Sequence, residues 1–255
     1  MGVMVPNFAS STEDRASGAQ VIEGSVKFNS NRSDRIERTP SAAGNRRTYT
    51  ISFWCKNTIT SSGSHHIFSV NAPGDQPIAF DSGRLRHSLW LATGGDIWER
   101  VTEQYFRDQG WYHIVVAIDS TQSTQANRMK LYVNNTQITS WDVDSSSSFS
   151  QNASMHGWNN SGHIHHIGSY AYQENSTGNS YLDGYITDFY FIDNQQLTPS
   201  SFAETNDDTG QWVPKKYSGT YNSQSYHLTF SDNSGTTATT LGKDSSGQSN
   251  NWTPN

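Results

Sequence analysis

The fold is decided by one stretch of the sequence, RDQGWYHIVVAIDSTQSTQANRMKLYVNNTQI, which covers residues 107–138. Residues 111–118 are apolar almost throughout and mostly β-branched or aromatic, which predicts a strand buried on both faces. Residues 129–133 alternate between apolar and polar, which predicts a strand with one solvated face. Asn134 and Asn135 tolerate the positive φ angles of a tight hairpin, so the chain turns back into another strand. Three strands in so short a span predict an antiparallel sheet.

The rest of the chain repeats this pattern of short strands and polar turns. Further strand-like runs cover residues 25–31, 47–57, 65–70, 77–83, 86–106 and 181–193. The one helix that the pattern predicts is short and lies near residues 198–204, where Thr198 can cap it and Pro199 can occupy the first helical position. Many short strands with almost no helix predict an all-β jelly-roll sandwich of two antiparallel sheets.

The two ends of the chain differ in character. Residues 1–19 lack apolar periodicity and predict an N-terminal arm or linker, whereas residues 20–255 predict a single domain. Near the C-terminus, SYHLTFSD (residues 225–232) echoes SVKFNSN (residues 25–31). We expect these two stretches to be neighbouring strands that bring the chain ends together.

Composition narrows the class of protein. The 255 residues are only 33% hydrophobic but 12% aromatic. The net charge is −6, so the sequence predicts no positively charged surface for nucleic acid. No apolar run reaches the roughly 20 residues that cross a membrane, and the N-terminal residues predict no secretory signal. The single cysteine, Cys55, excludes an internal disulfide framework. A virion protein, folded in the host cytoplasm, reconciles a surface rich in Ser, Thr and Asn with the absence of a signal and disulfides.

Four segments resemble the concanavalin A-like (laminin-G-like) lectin domain of marine phage and cyanophage structural proteins, such as tail or head fibres. They cover residues 17–56, 106–135, 181–221 and 228–255. The most specific motif is DGYITDFYFID, followed by LTPSSF and then by W-x-P-K-K-Y-x-G-T-Y. Asn134-Asn135 departs from the family, which commonly has Asn-Gly there, at a small cost because Asn tolerates the left-handed region.

The resemblance implies two curved antiparallel sheets and a non-enzymatic role as a fibre, appendage or decoration component of a virion. Other virion proteins would then bind the arm of residues 1–19, and host-surface glycans would be weakly bound. A homo-oligomer, such as a trimer, fits this role. The alternative is a carbohydrate-binding module of a cellular surface protein or of a glycan-cleaving enzyme.

Paired carboxylates are the test for glycan cleavage. Glu99 and Glu103 share a strand face, but four residues separate them by about 13 Å, outside the roughly 5–9.5 Å range of catalytic pairs. Asp142 and Asp144 would lie about 7 Å apart, but they border a Ser-rich stretch that favours a solvated turn. The sequence therefore predicts no enzyme.

An aromatic strand supplies the candidate glycan site. Trp98, Arg100, Thr102 and Gln104 share a strand face by alternation, and Trp90 lies across a turn. Apolar ring faces beside hydrogen-bond donors are the chemistry that a sugar needs. The alternative is that one tryptophan is core and Arg100 merely covers it. The sequence Trp111-Tyr112-His113, by contrast, predicts fold core because the whole strand is apolar.

Two candidate metal sites complete the set, and no other cofactor is predicted. His163 and His165 alternate, so an oligomer axis could gather them around a transition metal. The alternative is that they are ordinary polar-face residues, with His166 on the opposite face. Asp75 and Asp81 are candidate calcium ligands, although Gly-Asp and Asp-Ser-Gly are also ordinary turn formers.

Overall fold

The computed structural model describes residues 20–58, 63–71, 77–92, 97–145, 149–170 and 181–255. Two large antiparallel sheets face each other, with strands numbered in chain order. The first sheet contains β1 (Val26–Phe28), β3 (Thr48–Asn57), β8 (Tyr112–Asp119), β9 (Met129–Val133), β10 (Thr136–Gln137), β13 (Gly184–Asp193) and β16 (Tyr226–Leu228). Its order is β1-β13-β3-β8-β9-β10, with β16 also paired to β13. The predicted arm, residues 1–19, lies outside the described residues.

The second sheet contains β2 (Ile36–Arg38), β4 (Ser64–Val70), β5 (Ile78–Asp81), β6 (Arg84–Trp90), β7 (Ile97–Tyr105), β11 (Trp141–Asp144), β12 (His165–Ile167) and β17 (Thr253–Pro254). Its order is β11-β7-β6-β5-β4-β12-β2-β17. A small ribbon pairs β14 (Ala203–Thr205) with β15 (Trp212–Pro214). Short 3-10 turns lie at Ser30–Arg32, Gln125–Asn127 and Pro199–Ser201.

The stretch that decided the fold adopts the predicted strands. β8 is buried almost throughout and pairs with β3 on one side and β9 on the other. Asn134 and Asn135 have φ angles of 46° and 69°, and Thr136 pairs with Val133 across the turn. The hairpin is therefore confirmed, with both turn residues in the left-handed region.

The chain ends meet in a way that the echo of the two sequences did not predict. β1 and β16 do not pair with each other; both pair with β13, through Val26–Ile186 and Tyr226–Phe191. They lie end to end along one edge of β13, and a Cβ at Gly24 would lie 2.1 Å from the carbonyl oxygen of Phe230. The expectation of neighbouring strands was wrong, because similar sequences can occupy consecutive positions along one partner strand.

The predicted helix near residues 198–204 is also corrected. A single 3-10 turn covers Pro199–Ser201, and the chain then enters β14 at Ala203. Phe202 is buried and packs on Tyr190 and Tyr217, with ring centroids 5.2 and 5.3 Å apart. Pairing with β15 and burial of Phe202 therefore outweigh the local helix signals.

The first sheet is covered on both faces. Its inner face packs against the second sheet in the main hydrophobic core. Its outer face carries a second cluster, which contains Val115, Tyr132, Tyr190, Ile192, Phe202 and Tyr217. This double burial explains why β8 is apolar throughout, and it brings β15 onto the outer face. No helix of the described residues has the length and hydrophobicity that crossing a membrane requires.

Candidate functional site

A groove of about 710 Å³ lies on the outer face of the first sheet. Its lining consists of Gln20, Val21, Ile22, Glu23, Gly24, Ser25, Trp54, Trp111, Thr187, Trp212, Val213 and Pro214. Three indole rings in one concave surface make this the strongest candidate for a binding site. We call it the tryptophan groove.

The floor of the groove comes from strand alternation. Trp54 on β3 lies directly between Thr187 on β13 and His113 on β8. Its neighbours Phe53 and Cys55 point into the main core, so Trp54 points outward. The Trp54 ring is 8% exposed and stacks on the His113 ring, with centroids 4.9 Å apart.

His113 fixes the orientation of Trp212. Trp212 donates from Nε1 to Nδ1 of His113 over 3.0 Å, and the other ring nitrogen of His113 lies 2.8 Å from Oγ of Ser52. Because Nδ1 accepts, the network assigns the proton to Nε2, which donates to Ser52. Burial lowers the pKa of His113 to about 3, so the imidazole is neutral near pH 7 and keeps this arrangement.

Trp111 is 41% exposed, although the sequence predicted it as fold core. It immediately precedes β8, which begins at Tyr112, so it escapes the burial of that strand. Its ring centroid lies 6.4 Å from that of Tyr185 on β13. Trp111 is therefore an accessible ring at the mouth of the groove.

The opposite wall is the segment that enters the domain, and hydrogen bonds hold it. Gln20 donates from its backbone N to the Pro214 carbonyl over 2.9 Å and from Nε2 to Oδ1 of Asp188 over 3.1 Å. Oδ1 of Asp188 also pairs with Nε2 of His227 at 2.6 Å, and both side chains are buried. Thr187 donates from Oγ1 to the carbonyl oxygen of Gly24. These contacts fix the backbone of the wall.

The predicted glycan-binding strand does not form a binding surface. Trp98 is 0% exposed and belongs to the main core, so its ring cannot stack on a sugar. Arg100 covers it, with its guanidinium carbon 5.3 Å from the Trp98 ring and its Nε 3.1 Å from Oδ1 of Asp144. The prediction for Trp98 was wrong, and the alternative of a core ring under a covering arginine holds.

The other members of that predicted surface are dispersed. Trp98 lies opposite Leu89, so the half-buried Trp90 points to the other face of the sheet. Gln104 is exposed, but the buried Thr102 separates it from Arg100. Alternation showed which residues share a face, but not that the shared face is the buried one.

The candidate acids and metal ligands that the structure describes are also not assembled into a site. Asp142 pairs with Arg84, and Asp144 pairs with Arg100, so each carboxylate has a cation partner. Asp81 is half-buried and accepts a hydrogen bond from Ser82 at 3.4 Å, whereas Asp75 lies outside the described residues. Within the parts of the chain that the structure describes, no three His, Cys, Asp or Glu residues form a metal-binding group.

The two histidines predicted for an oligomer axis have other partners. Nδ1 of His163 lies 2.7 Å from the Asn71 carbonyl oxygen. His165 is 4% exposed, with Nδ1 bonded to the His163 carbonyl at 3.0 Å and Nε2 accepting from the backbone N of Asn159 at 3.2 Å. A buried imidazole with both nitrogens engaged cannot reach a metal shared with another subunit, so the prediction for His165 was wrong.

Residues 30–203 match the family described as the concanavalin A-like lectin/glucanases superfamily. The chain belongs to this superfamily. The predicted all-β, laminin-G-like jelly roll is therefore confirmed, and the chain is a lectin-like domain. Among curated proteins, no sequence matches the chain.

The chain is similar to several solved structures at low sequence identity. A putative carbohydrate-binding protein from Bacteroides ovatus has a TM-score of 0.55 and 14% identity, over 92% of this chain and 59% of that chain. A heptameric pentraxin from Limulus polyphemus has a TM-score of 0.48 and 15% identity, over 71% and 80%. Mouse laminin α1 domains LG4-5 have a TM-score of 0.45 and 10% identity, over 72% and 45%. The chain thus spans little more than half of the Bacteroides protein and under half of the laminin chain.

Sequence reasoning missed the residues that form the groove, among them Gln20, Glu23, Trp54 and Trp212. Alternation with Tyr49, Ile51 and Phe53 places Trp54 on the opposite face of its strand, but nothing local shows that this face carries a groove. Trp212 lies in a polar stretch, and Gln20 lies at the edge of the predicted arm. The available signal was Trp212 in the family-like motif W-x-P-K-K-Y, where a large aromatic among polar residues has no local reason to occur.

Proposed function

We propose that this protein is a non-enzymatic structural and adhesive component of a virion, as a fibre, appendage or decoration protein, whose lectin-like domain binds host-surface glycan in the tryptophan groove. The groove is the single observation that carries the glycan-binding part. The sequence resemblance to phage structural proteins supports the virion part, including attachment through residues 1–19 and location on the particle.

The chemistry of the groove suits a sugar. The C–H faces of a pyranose pack on indole rings, and the accessible Trp111 and half-buried Trp212 offer such faces. Glu23 and Ser25 on the wall are both exposed and supply oxygens for sugar hydroxyls. An open groove buries only part of a sugar, so each site binds weakly and many copies on one particle supply avidity.

The lining argues for binding rather than cleavage. Glycoside hydrolysis by the common mechanism needs two carboxyl groups about 5–9.5 Å apart across the bond. Among the described residues, Glu23 is the one carboxylate in the groove lining. The adjacent Asp188 is buried and bonded to His227 and Gln20, so it does not reach a substrate.

Glycan binding is tested by Trp111→Ala, with Tyr105→Ala as the matched control. Tyr105 is also a large exposed aromatic, 47% exposed, but it lies on β7 of the other sheet. We expect Trp111→Ala to lose about tenfold or more in affinity on a glycan array and in calorimetry, and Tyr105→Ala to bind like the wild type. Equal binding by all three proteins would remove the groove from the proposal.

The virion role is tested separately. The protein should be found in purified particles, and a variant without residues 1–19 should fold and bind glycan yet fail to be incorporated. Absence from particles would favour the alternative of a module in a cellular surface protein. Normal incorporation without the arm would place the docking surface on the sandwich.

A further inference from the structure

The described lining of the tryptophan groove carries negative charge and no positive charge. Glu23 is the one charged residue among its described lining residues, and none of them is Lys, Arg or His. Lys27 lies two residues after the lining residue Ser25, and its Nζ is 5.9 Å from the centre of the Tyr185 ring. Lys215, just past the opposite wall, has Nζ 3.7 Å from Oε2 of Glu204. Neither cation belongs to the lining.

The Glu23 side chain is placed to meet a ligand. It is exposed, and the backbone on either side of it is held by the bond from Gln20 to the Pro214 carbonyl and by the bond from Thr187 to the Gly24 carbonyl. The carboxylate has no hydrogen bond or ion pair within the described part of the chain. No group in that part of the chain competes for its acceptor oxygens, which can accept hydrogen bonds from a bound molecule.

From this geometry we infer that the tryptophan groove selects neutral glycans and rejects anionic ones, with Glu23 as the residue that determines this specificity. The inference rests on the proposed glycan binding and names the class of sugar. Neutral sugars carry neighbouring hydroxyl groups that donate to a carboxylate, and hydrogen bonds to an ionised acceptor are the stronger kind. A carboxylated, sulfated or phosphorylated sugar would lose hydration in the groove and meet a like charge, with no cation among the described lining residues to compensate.

The rival site for an anionic glycan is the row of Lys27, Tyr185 and Lys56 on the outer face of the first sheet, near Trp111. Lys27 and Lys56 flank Tyr185 on adjacent strands of the first sheet. A lysine on the edge strand β1 also has the ordinary role of discouraging sheet-to-sheet pairing. The lining of the groove itself therefore decides the class of ligand.

The test uses the full-length protein and matched pairs of oligosaccharides, each neutral chain beside its sialylated or sulfated form. We expect the wild type to bind the neutral member about tenfold or more tightly than the anionic one. Glu23→Gln should bring the two affinities close together, and Glu23→Lys should reverse the preference. Lys27→Gln with Lys56→Gln should leave the preference unchanged, and all variants should keep the wild-type melting temperature because these side chains are not in the core.

Each outcome separates the two ideas. Binding that depends on Trp111 but favours anionic glycans, or a preference that survives Glu23→Gln, would overturn the specificity inference and leave the proposed function standing. Anionic binding that disappears in the double lysine variant would move the site to the Tyr185 row and likewise overturn it. Failure of the wild type to bind any glycan would overturn both.

Discussion

Trp212 donates a hydrogen bond from Nε1 to Nδ1 of His113 over 3.0 Å, and the two residues are 99 positions apart in the sequence. The bond joins the outer face of the first sheet to the ribbon that forms one wall of the tryptophan groove. Because His113 also stacks on Trp54, one neutral imidazole orients two of the three indoles. The shape of the groove thus depends on a side chain that does not itself line it.

His113→Phe should therefore loosen the groove. It leaves the Trp212 N–H without its acceptor, and we expect a loss of about 1–3 kcal/mol in the free energy of unfolding, measured with urea. Trp212→Phe removes the donor instead, so the double variant should cost less than the sum of the single variants. Additive losses would mean that the bond does not couple the wall to the sheet.

Trp98 and Trp111 should respond oppositely to truncation. Trp98→Ala opens a cavity in the main core and should cost about 3–5 kcal/mol in unfolding free energy. Trp111→Ala removes an exposed ring and should cost about 1 kcal/mol or less while reducing adsorption of whole particles. Denaturation and adsorption are measured on both variants to separate the two roles. A Trp98→Ala protein that keeps its stability but adsorbs poorly would support glycan binding by Trp98 and contradict its role in the core.

Stability should fall in mild acid because several histidines are buried in the neutral form. Burial lowers the pKa of His87 and His166 to about 4 and that of His113 and His165 to about 3. In the unfolded chain they titrate near 6.5, so below that pH the unfolded state binds protons that the folded state does not. Their stabilisation is complete above about pH 6.5 and is lost as the pH falls toward 4, at roughly 1.4 kcal/mol per pH unit for each residue.

The check is urea unfolding between pH 8 and pH 4.5 for the wild type and His165→Gln. Below pH 6, the slope of unfolding free energy against pH should correspond to about one proton fewer taken up on unfolding in the variant than in the wild type. Above pH 7.5 the two slopes should agree, whatever the variant does to absolute stability. An unchanged slope in acid would show that His165 is protonated in the folded protein.

Truncation before Tyr226 should abolish the closed sandwich. It removes Tyr226, Leu228, Phe230 and Trp252, all of which are buried in the main core, and it exposes an edge of β13. We expect aggregation by light scattering, since unpaired strand edges associate. Removal of residues 1–19 alone is the matched control and should leave a monodisperse protein; a truncated form that melts like the full chain would contradict the closure.

Much of the fold was readable from local patterns. The strand at residues 112–119, the strand at 129–133 and the Asn134-Asn135 turn arise from periodicity and from the backbone freedom of Asn. The predicted helix failed because its signals, Thr198 and Pro199, support only the first turn. Beyond that turn, the conformation is decided by the burial of Phe202 and by pairing with a strand that begins seven residues after β14 ends, at Trp212.

The candidate site was not readable in the same way. Alternation showed that Trp98 and Arg100 share a face, but which face meets the core depends on what packs there. Trp111 was predicted as core because it continues an apolar run, and no local feature of the sequence marks the residue at which burial of that run ends. A groove built from Gln20, Trp54 and Trp212 exists only when distant segments are brought together.

The sequence by itself determined the all-β class and the hairpin, because these depend on side-chain period and backbone preference within a few residues, and its motifs resemble the family that residues 30–203 match. Only the tertiary structure decided which tryptophans are core and which are surface. The physical reason is that a side chain becomes buried only when another face of the protein packs on it, which the residue's own sequence neighbours do not determine. Trp98 is covered in the main core between the sheets, whereas Trp111 stays accessible beside Trp54 and Trp212 on the outer face of the first sheet.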